Sequence, residues 1–327
     1  QSFGGATQTG TRYSPAFRKF FPHFPANFVK CPPGCRVQPH KPHKAHSQLP
    51  TPDSPLPTPM QRRTFIQTTS LAGMSILLPQ TAALGRSYNP AATKSVGVIG
   101  LDTSHATAFT KILNDPEATA DVAGYRVTHA FPQGSTRIES SMKRVPEYTA
   151  EMQKMGVEIV DSMDALLQKV DVVLLETNDG HPHLAQARQV FEAGKPVFID
   201  KPVAGSLKDA VEIYRLAEAK GVPVFSASSL RFAPSTMAVR NGSIGKVLGA
   251  DTFSPATLEP THPDLFWYGI HGVESLFTVM GTGCTQVRRV FHPDAEVVVG
   301  EWADGRIGVF RGTRAGKHSY GGTAYGT

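Results

Sequence analysis

The amino-acid sequence predicts an α/β fold: a doubly wound parallel sheet followed by an α+β domain with a mostly antiparallel sheet. Three observations predict it. From Lys94 to about Leu230, short apolar runs alternate with amphipathic segments, a rhythm that implies parallel strands joined by right-handed crossover helices. After Leu230, strand-like runs follow one another with a single helical segment between them. The chain is 327 residues long, enough for two cores.

Residues 1–59 are rich in Pro, His, Ser and Thr and have no hydrophobic period. Such a stretch buries too little apolar surface to offset its ordering entropy, so it is expected to be a disordered leader, or upstream sequence if Met60 is the true start. Then come Arg62-Arg63, an apolar run from Thr68 to Leu78 and the small residues Thr81 to Gly85. This order resembles a twin-arginine export signal, with residues 60–93 as signal and linker. It implies the export machinery as a partner and a periplasmic or otherwise exported location. The apolar run is too short to span a bilayer.

In the body, Ser95–Gly100 (SVGVIG) reads as a buried strand, followed by a helix to about Leu113. Strands are predicted at 125–131, 157–160, 171–176, 197–199 and 222–226. Helices are predicted at 146–155, 163–169, 182–193 and 207–220, the last with Ser206 as N-cap and the one before it stopped by Gly194. Beyond Leu230, strands are predicted at 247–253, 285–291, 296–302 and 306–312, and a helix at 269–280. The domains are placed at 94–230 and 231–327. The second is expected to be incomplete, because nothing closes it after the last strand.

Charge narrows the function classes. Before Lys94, ten Lys or Arg face one acid, giving +9; from Lys94 onward, 23 bases face 26 acids, giving −3. The basicity belongs to the leader, so the folded part is not expected to bind nucleic acid. Cys31, Cys35 and Cys284 do not complete a zinc or disulfide framework, and no metal ligand is assigned.

A nucleotide-binding first turn uses Gly-x-Gly-x-x-Gly, in which the glycines let the backbone approach a diphosphate. The first strand here runs into Gly100-Leu101-Asp102-Thr103-Ser104-His105. Gly100 takes the first place, Asp102 the second and His105 the third, so a carboxylate is expected to meet the diphosphate. No acid ends the second strand to hold a ribose; His129-Ala130-Phe131-Pro132 stands there. In a 3-2-1-4-5-6 strand order, the loops after strands one and four share one crevice. They bring Asp102 and His105 towards Glu176, Asp179, His181 and His183, a set suited to a divalent ion or sugar hydroxyls. The competing reading makes Asp102 the cap of the first helix and the histidines caps of the next.

Asp200-Lys201-Pro202 ends the fifth strand and is approached through Ala193-Gly194-Lys195-Pro196-Val197; His181-Pro182-His183 opens a helix after strand four, and Gly269-Ile270-His271 lies further on. In these segments the chain resembles the Gfo/Idh/MocA family of glucose–fructose oxidoreductase and inositol dehydrogenase, over about Lys94 to Gly281. The resemblance implies a Rossmann-type first domain, NAD or NADP as cofactor, a sugar or polyol substrate and a homo-oligomer. It makes Lys201 and His271 catalytic, as partners of the substrate hydroxyl. It places Gly100, Asp102, Thr103, Ser104, His105, Thr177, Asn178, His183, Asp200, Lys201 and Pro202 at the cofactor. Trp267 stands where the family has an aspartate to orient the histidine, leaving Asp264 or Glu274 as its substitute. The runner-up reading is a diverged member without dinucleotide binding, acting as a metal-assisted hydrolase or lyase, or binding carbohydrate without catalysis.

Overall fold

A computed structural model describes residues 93–118, 122 and 124–327, together with the backbone of Ser2–Phe3. The leader and export-signal expectations for residues 1–92 otherwise lie outside the described residues.

The first sheet is built from β1 (Lys94–Ile99), β2 (Tyr125–Phe131), β3 (Glu158–Ile159), β4 (Val172–Leu175), β5 (Val197–Ile199) and β6 (Val224–Phe225). They lie in the order β3-β2-β1-β4-β5-β6, all parallel. The chain therefore reverses its winding between β1 and β4, and their carboxyl ends open the crevice that the sequence predicts. β1 and β4 are apolar because both their faces are covered. On one side Ile99, Leu175 and Ile199 pack against α3 (Met163–Lys169), α4 (His183–Glu192) and α5 (Leu207–Lys220). On the other, Val96, Val98 and Leu174 meet α1 (Ser104–Leu113) and α2 (Glu139–Lys154).

Helix limits follow from local chemistry. The Ser162 and Ser206 side chains accept from Ala165 N and Asp209 N, capping α3 and α5, and α5 stops at Gly221 with φ 63°. α2 differs from expectation, starting at Glu139 with Pro146 inside it. A proline removes one N–H, but the residues around it lie at the surface, where water replaces the lost bond.

The second sheet contains β7 (Val247–Pro255), β8 (Cys284–His292), β9 (Ala295–Trp302), β10 (Ile307–Thr313) and β11 (Gly321–Gly326). The order is β11-β7-β10-β9-β8, with Ser2–Phe3 paired outside β11. Only β7 and β10 run parallel; the other pairs are antiparallel. Between the sheets lie a 3-10 turn (Ser229–Phe232) and α6 (Pro234–Arg240). α7 (Ile270–Met280) crosses the second sheet so closely that a Cβ on Gly272 would stand 2.4 Å from the Phe310 ring. Both sheets belong to one compact unit. Among the described residues, no helix is long and apolar enough to cross a membrane.

Candidate functional site

The site begins at the turn after β1. Gly100 has φ 93°, and a Cβ there would lie 2.4 Å from the Thr177 backbone nitrogen. Only glycine lets the first loop pass this close to the loop after β4. Thr103 caps α1, its hydroxyl accepting from His105 N at 3.4 Å, and Ser104 is exposed beside it.

Asp102 does neither thing expected of it. It is not the helix cap, and its carboxylate is turned inward, away from solvent. Fully buried, it accepts from Ser135 N at 2.8 Å and from Asn178 N at 2.9 Å, tying the loops after β1, β2 and β4 together. Burial raises its pKa, although those two N–H donors pull the other way. Ser135 extends the link by donating to Asp179 Oδ2 at 2.9 Å, and Asn178 donates to Ser141 Oγ at 3.0 Å.

His183 is corrected in the same sense. It has no exposed surface, and its ring nitrogens lie 2.7 Å from Thr177 O and 3.2 Å from Val203 O. Burial pushes its pKa down; the neutral ring has one N–H, and the shorter contact assigns it to Nε2, donating to Thr177 O. Thr177 is also buried, and its hydroxyl accepts from Gln186 Nε2 at 3.0 Å.

The reactive end lies one strand further along. Lys201 and Pro202 follow β5 through a cis peptide bond. Asp200 Oδ2 lies 2.8 Å from His105 Nδ1 and 3.9 Å from Lys201 Nζ. Burial alone would raise Asp200, but these two neighbours win and hold its carboxyl well below the usual range. Glu176, at the end of β4, shows the opposite. Its oxygens are buried without a hydrogen-bond partner. Burial, and then the charge of Asp200, push its pKa well above the ordinary value.

His271 comes to the same place from α7. It lines one cavity with His105, Asp200, Lys201 and Ser228, over an apolar floor that includes Phe109, Phe198 and Phe225. Neither Asp264 nor Glu274 orients it. Asp264 pairs with Arg289 at 2.9 Å, while Glu274 pairs with Arg231 and accepts from Ser228 N at 2.6 Å. Ser228 is the partner instead, with its Oγ 2.7 Å from His271 Nδ1. That oxygen also accepts from Leu230 N at 3.2 Å; its second lone pair and its hydrogen let it serve either tautomer of the ring. Burial, then the Lys201 charge, push His271 down to about 3, so it is neutral at physiological pH. Tyr268 and Tyr320 flank the ring, their hydroxyls 3.1 Å apart. Sequence reasoning missed Ser228, Tyr268 and Tyr320, since none falls in a motif.

A second cluster joins Asp179, His181 and His262. Asp179 Oδ1 lies 2.7 Å from His181 Nδ1 and 3.5 Å from His262 Nε2. His262 Nε2 also accepts from Gly180 N at 3.1 Å, and burial lowers the His262 pKa to about 4. Trp267 packs on His262, with ring centroids 5.0 Å apart.

Tested against a dinucleotide, these residues fit in part. The Gly100 turn, the α1 N-terminus and Lys201 have the required form. A groove at the end of β2 is lined by Phe131, Gln133, Asp161, Ser162 and Gln186. The diphosphate stretch does not match the usual pattern, because His105 reaches across it to Asp200 and Asp102 fills the second glycine's place.

Residues 94–228 match the family model described as Gfo/Idh/MocA, an oxidoreductase family with an NAD-binding Rossmann fold. The uncharacterized oxidoreductase YhhX of Escherichia coli (strain K12) is 25% identical over 138 residues, 38% of this chain and 40% of that protein. The match thus spans about 40% of the length of this curated relative. GenD2 from gentamicin A biosynthesis, solved in complex with NAD, superposes with a TM-score of 0.57 at 20% identity, covering 73% of this chain and 71% of that one. UDP-N-acetylglucosamine 3-dehydrogenase GnnA from Acidithiobacillus ferrooxidans gives 0.58 at 17% identity, covering 72% and 75%.

Proposed function

We propose that this chain, whose residues 94–228 match an oxidoreductase family of NAD-binding Rossmann fold, is an NAD(P)-dependent oxidoreductase acting on a sugar or polyol hydroxyl. The observation that carries the proposal is the meeting of Lys201, from the parallel sheet, with His271, from the helix on the second sheet, in one cavity. The UDP-sugar dehydrogenase among the structural relatives supports the substrate class.

A bound nicotinamide ring would supply the hydride acceptor or donor. The chain's own residues handle the oxygen. The Lys201 ammonium stabilises negative charge on it, lowering the cost of ionising the hydroxyl. His271 is neutral and presents Nε2 to the same oxygen: unprotonated, it accepts the hydroxyl proton as base in oxidation; protonated, it donates a hydrogen bond that polarises the carbonyl in reduction. Ser228, 2.7 Å from Nδ1, fixes the ring's orientation and can donate to or accept from it. The apolar floor keeps water from the reacting carbon.

The test is a panel of sugars and polyols with NAD+ or NADP+, read by nicotinamide absorbance. The proposal expects turnover of at least one substrate class, lowered on the order of 10²–10⁴-fold by Lys201→Ala or His271→Ala. Turnover indifferent to both substitutions would sink it. The runner-up, a member without dinucleotide binding, is favoured by the His105–Asp200 pair across the α1 N-terminus.

The proposal also includes twin-arginine export, carried by Arg62-Arg63 and the run behind them, and a homo-oligomer. Mass spectrometry of the N-terminus in the native cell tests the first, with peptides from residues 1–59 speaking against a start at Met60. Light scattering tests the second.

A further inference from the structure

Three side chains from neighbouring strand ends converge beside Lys201: His105 after β1, Glu176 at the end of β4 and Asp200 at the end of β5. One ligand atom from each lies within 4.8 Å of the other two, so shifts of about 1 Å would bring all three round a single ion. Two of the three carboxylate and imidazole groups satisfy each other, as His105 Nδ1 meets Asp200 Oδ2 at 2.8 Å. The third does not. Both Glu176 oxygens are inaccessible and have no hydrogen-bond partner, although they stand within reach of this pair. A buried carboxyl group without partners is costly, and its surroundings provide a cation-shaped remedy.

We propose that His105, Glu176 and Asp200 form a binding site for a borderline divalent cation such as Zn2+, Mn2+ or Co2+. One imidazole nitrogen and two carboxylate oxygens suit these ions better than Mg2+ or Ca2+, which prefer all-oxygen shells. Three protein ligands leave coordination positions open, and His105 and Asp200 line the cavity that also holds Lys201 and His271. The open positions therefore suit a substrate hydroxyl or carbonyl oxygen. The ion competes with Lys201 for Asp200, 3.9 Å away. On binding, it takes over that carboxylate and frees the ammonium for the substrate. The positive end of α1 opposes the ion, while the two carboxylates offset it. The site stands independently of the dinucleotide reading, since it needs no nucleotide to form.

The other cluster, Asp179, His181 and His262, also falls within 4.8 Å. Its donor atoms are already engaged: Asp179 with Ser135 and His181, and His262 Nε2 with Gly180 N. It serves as the internal control.

The experiment strips the full chain with chelator and titrates it with Co2+ in the absence of nucleotide and substrate, following the visible absorption bands and the heat of binding. His23, His40, His43 and His46 of the leader add background that no variant below removes, so the readout is the difference from wild type. The expected result is one tight ion per chain above background, with affinity lowered on the order of 100-fold by Glu176→Gln. His105→Asn should act likewise, and it carries the test if melting shows that Glu176→Gln fails to fold. His181→Ala should leave the tight ion in place. Absence of any tight ion in wild type would overturn the proposal. So would an ion lost with His181→Ala but retained by both Glu176→Gln and His105→Asn.

Discussion

Replacing Asp102 with alanine tests whether this residue is a structural staple. The carboxylate accepts two backbone hydrogen bonds, at 2.8 and 2.9 Å, in a position with no solvent exposure. Bonds to a charged acceptor contribute about 1.5–3 kcal/mol each, giving a gross loss of roughly 3–6 kcal/mol. Burial opposes the charge, as the raised pKa records, so the net destabilisation is expected at about 2–4 kcal/mol. For a unit of this size that corresponds to a Tm lower by roughly 5–15 °C. Asp102→Asn keeps one carbonyl acceptor but turns its amide towards the other N–H donor, so it should lose about half as much. Asp102→Gly restores the second glycine of a nucleotide turn, yet leaves Ser135 N and Asn178 N unpaired. It should melt at least as low as the alanine variant. The assay is calorimetric melting with a denaturant titration alongside. An Asp102→Ala protein that melts within about 1 °C of wild type would refute the reasoning, because the two bonds would then carry no net stability.

Gly100→Ala must put a Cβ 2.4 Å from backbone at φ 93°; strain and overlap together predict a loss of about 2–6 kcal/mol, read by urea unfolding, and a loss below about 1 kcal/mol would contradict the close approach. The folded pKa of Glu176 lies well above the ordinary glutamate value, so this group's contribution is full below the ordinary glutamate range and is lost as pH rises through the folded value. In chelator, Glu176→Gln should therefore gain stability over wild type as pH rises from about 4.5, and a constant difference across pH would speak against a buried, unpartnered acid. Ser228→Ala frees His271 Nδ1, so the pH profile of kcat should change shape while substrate KM moves little. An unchanged profile would mean that Ser228 does not orient the ring.

The parallel sheet was legible because each of its strands is a short apolar run closed by turn chemistry. Val172–Leu175 and Val197–Ile199, both wholly buried, read directly as central strands. The Ser206 cap was equally plain, since a serine before an amphipathic run has few other uses. The start of α2 was misplaced because Pro146 looks like a first-turn residue, whereas the helix tolerates it at an exposed position. α6 and β11 escaped notice for different reasons. Seven residues carry little periodicity, and Gly321–Gly326 is a strand because β7 and Ser2–Phe3 pair with it.

The same division holds at the site. Lys201 and His271 were legible through their motifs, and the structure brings both to one cavity. The Asp102 staple was not, because its partners Ser135 and Asn178 lie 33 and 76 positions away and offer backbone N–H groups that no side-chain pattern reveals. The His105–Asp200 pair spans 95 positions. Its residues were each expected at the cofactor, but nothing local showed that they would meet each other. Ser228 stands in for the missing aspartate near His271, a replacement visible only once β6 and α7 are side by side.

The most direct test of the central claim is a calorimetric titration of the purified chain with NADH and NADPH, without substrate. An NAD(P)-dependent oxidoreductase at the Lys201–His271 cavity predicts binding of one of the two at about micromolar Kd, weakened by Lys201→Ala in a protein that melts as wild type does. A folded chain that binds neither nucleotide would contradict the account and favour the reading in which His105 and Asp200 have closed the diphosphate path.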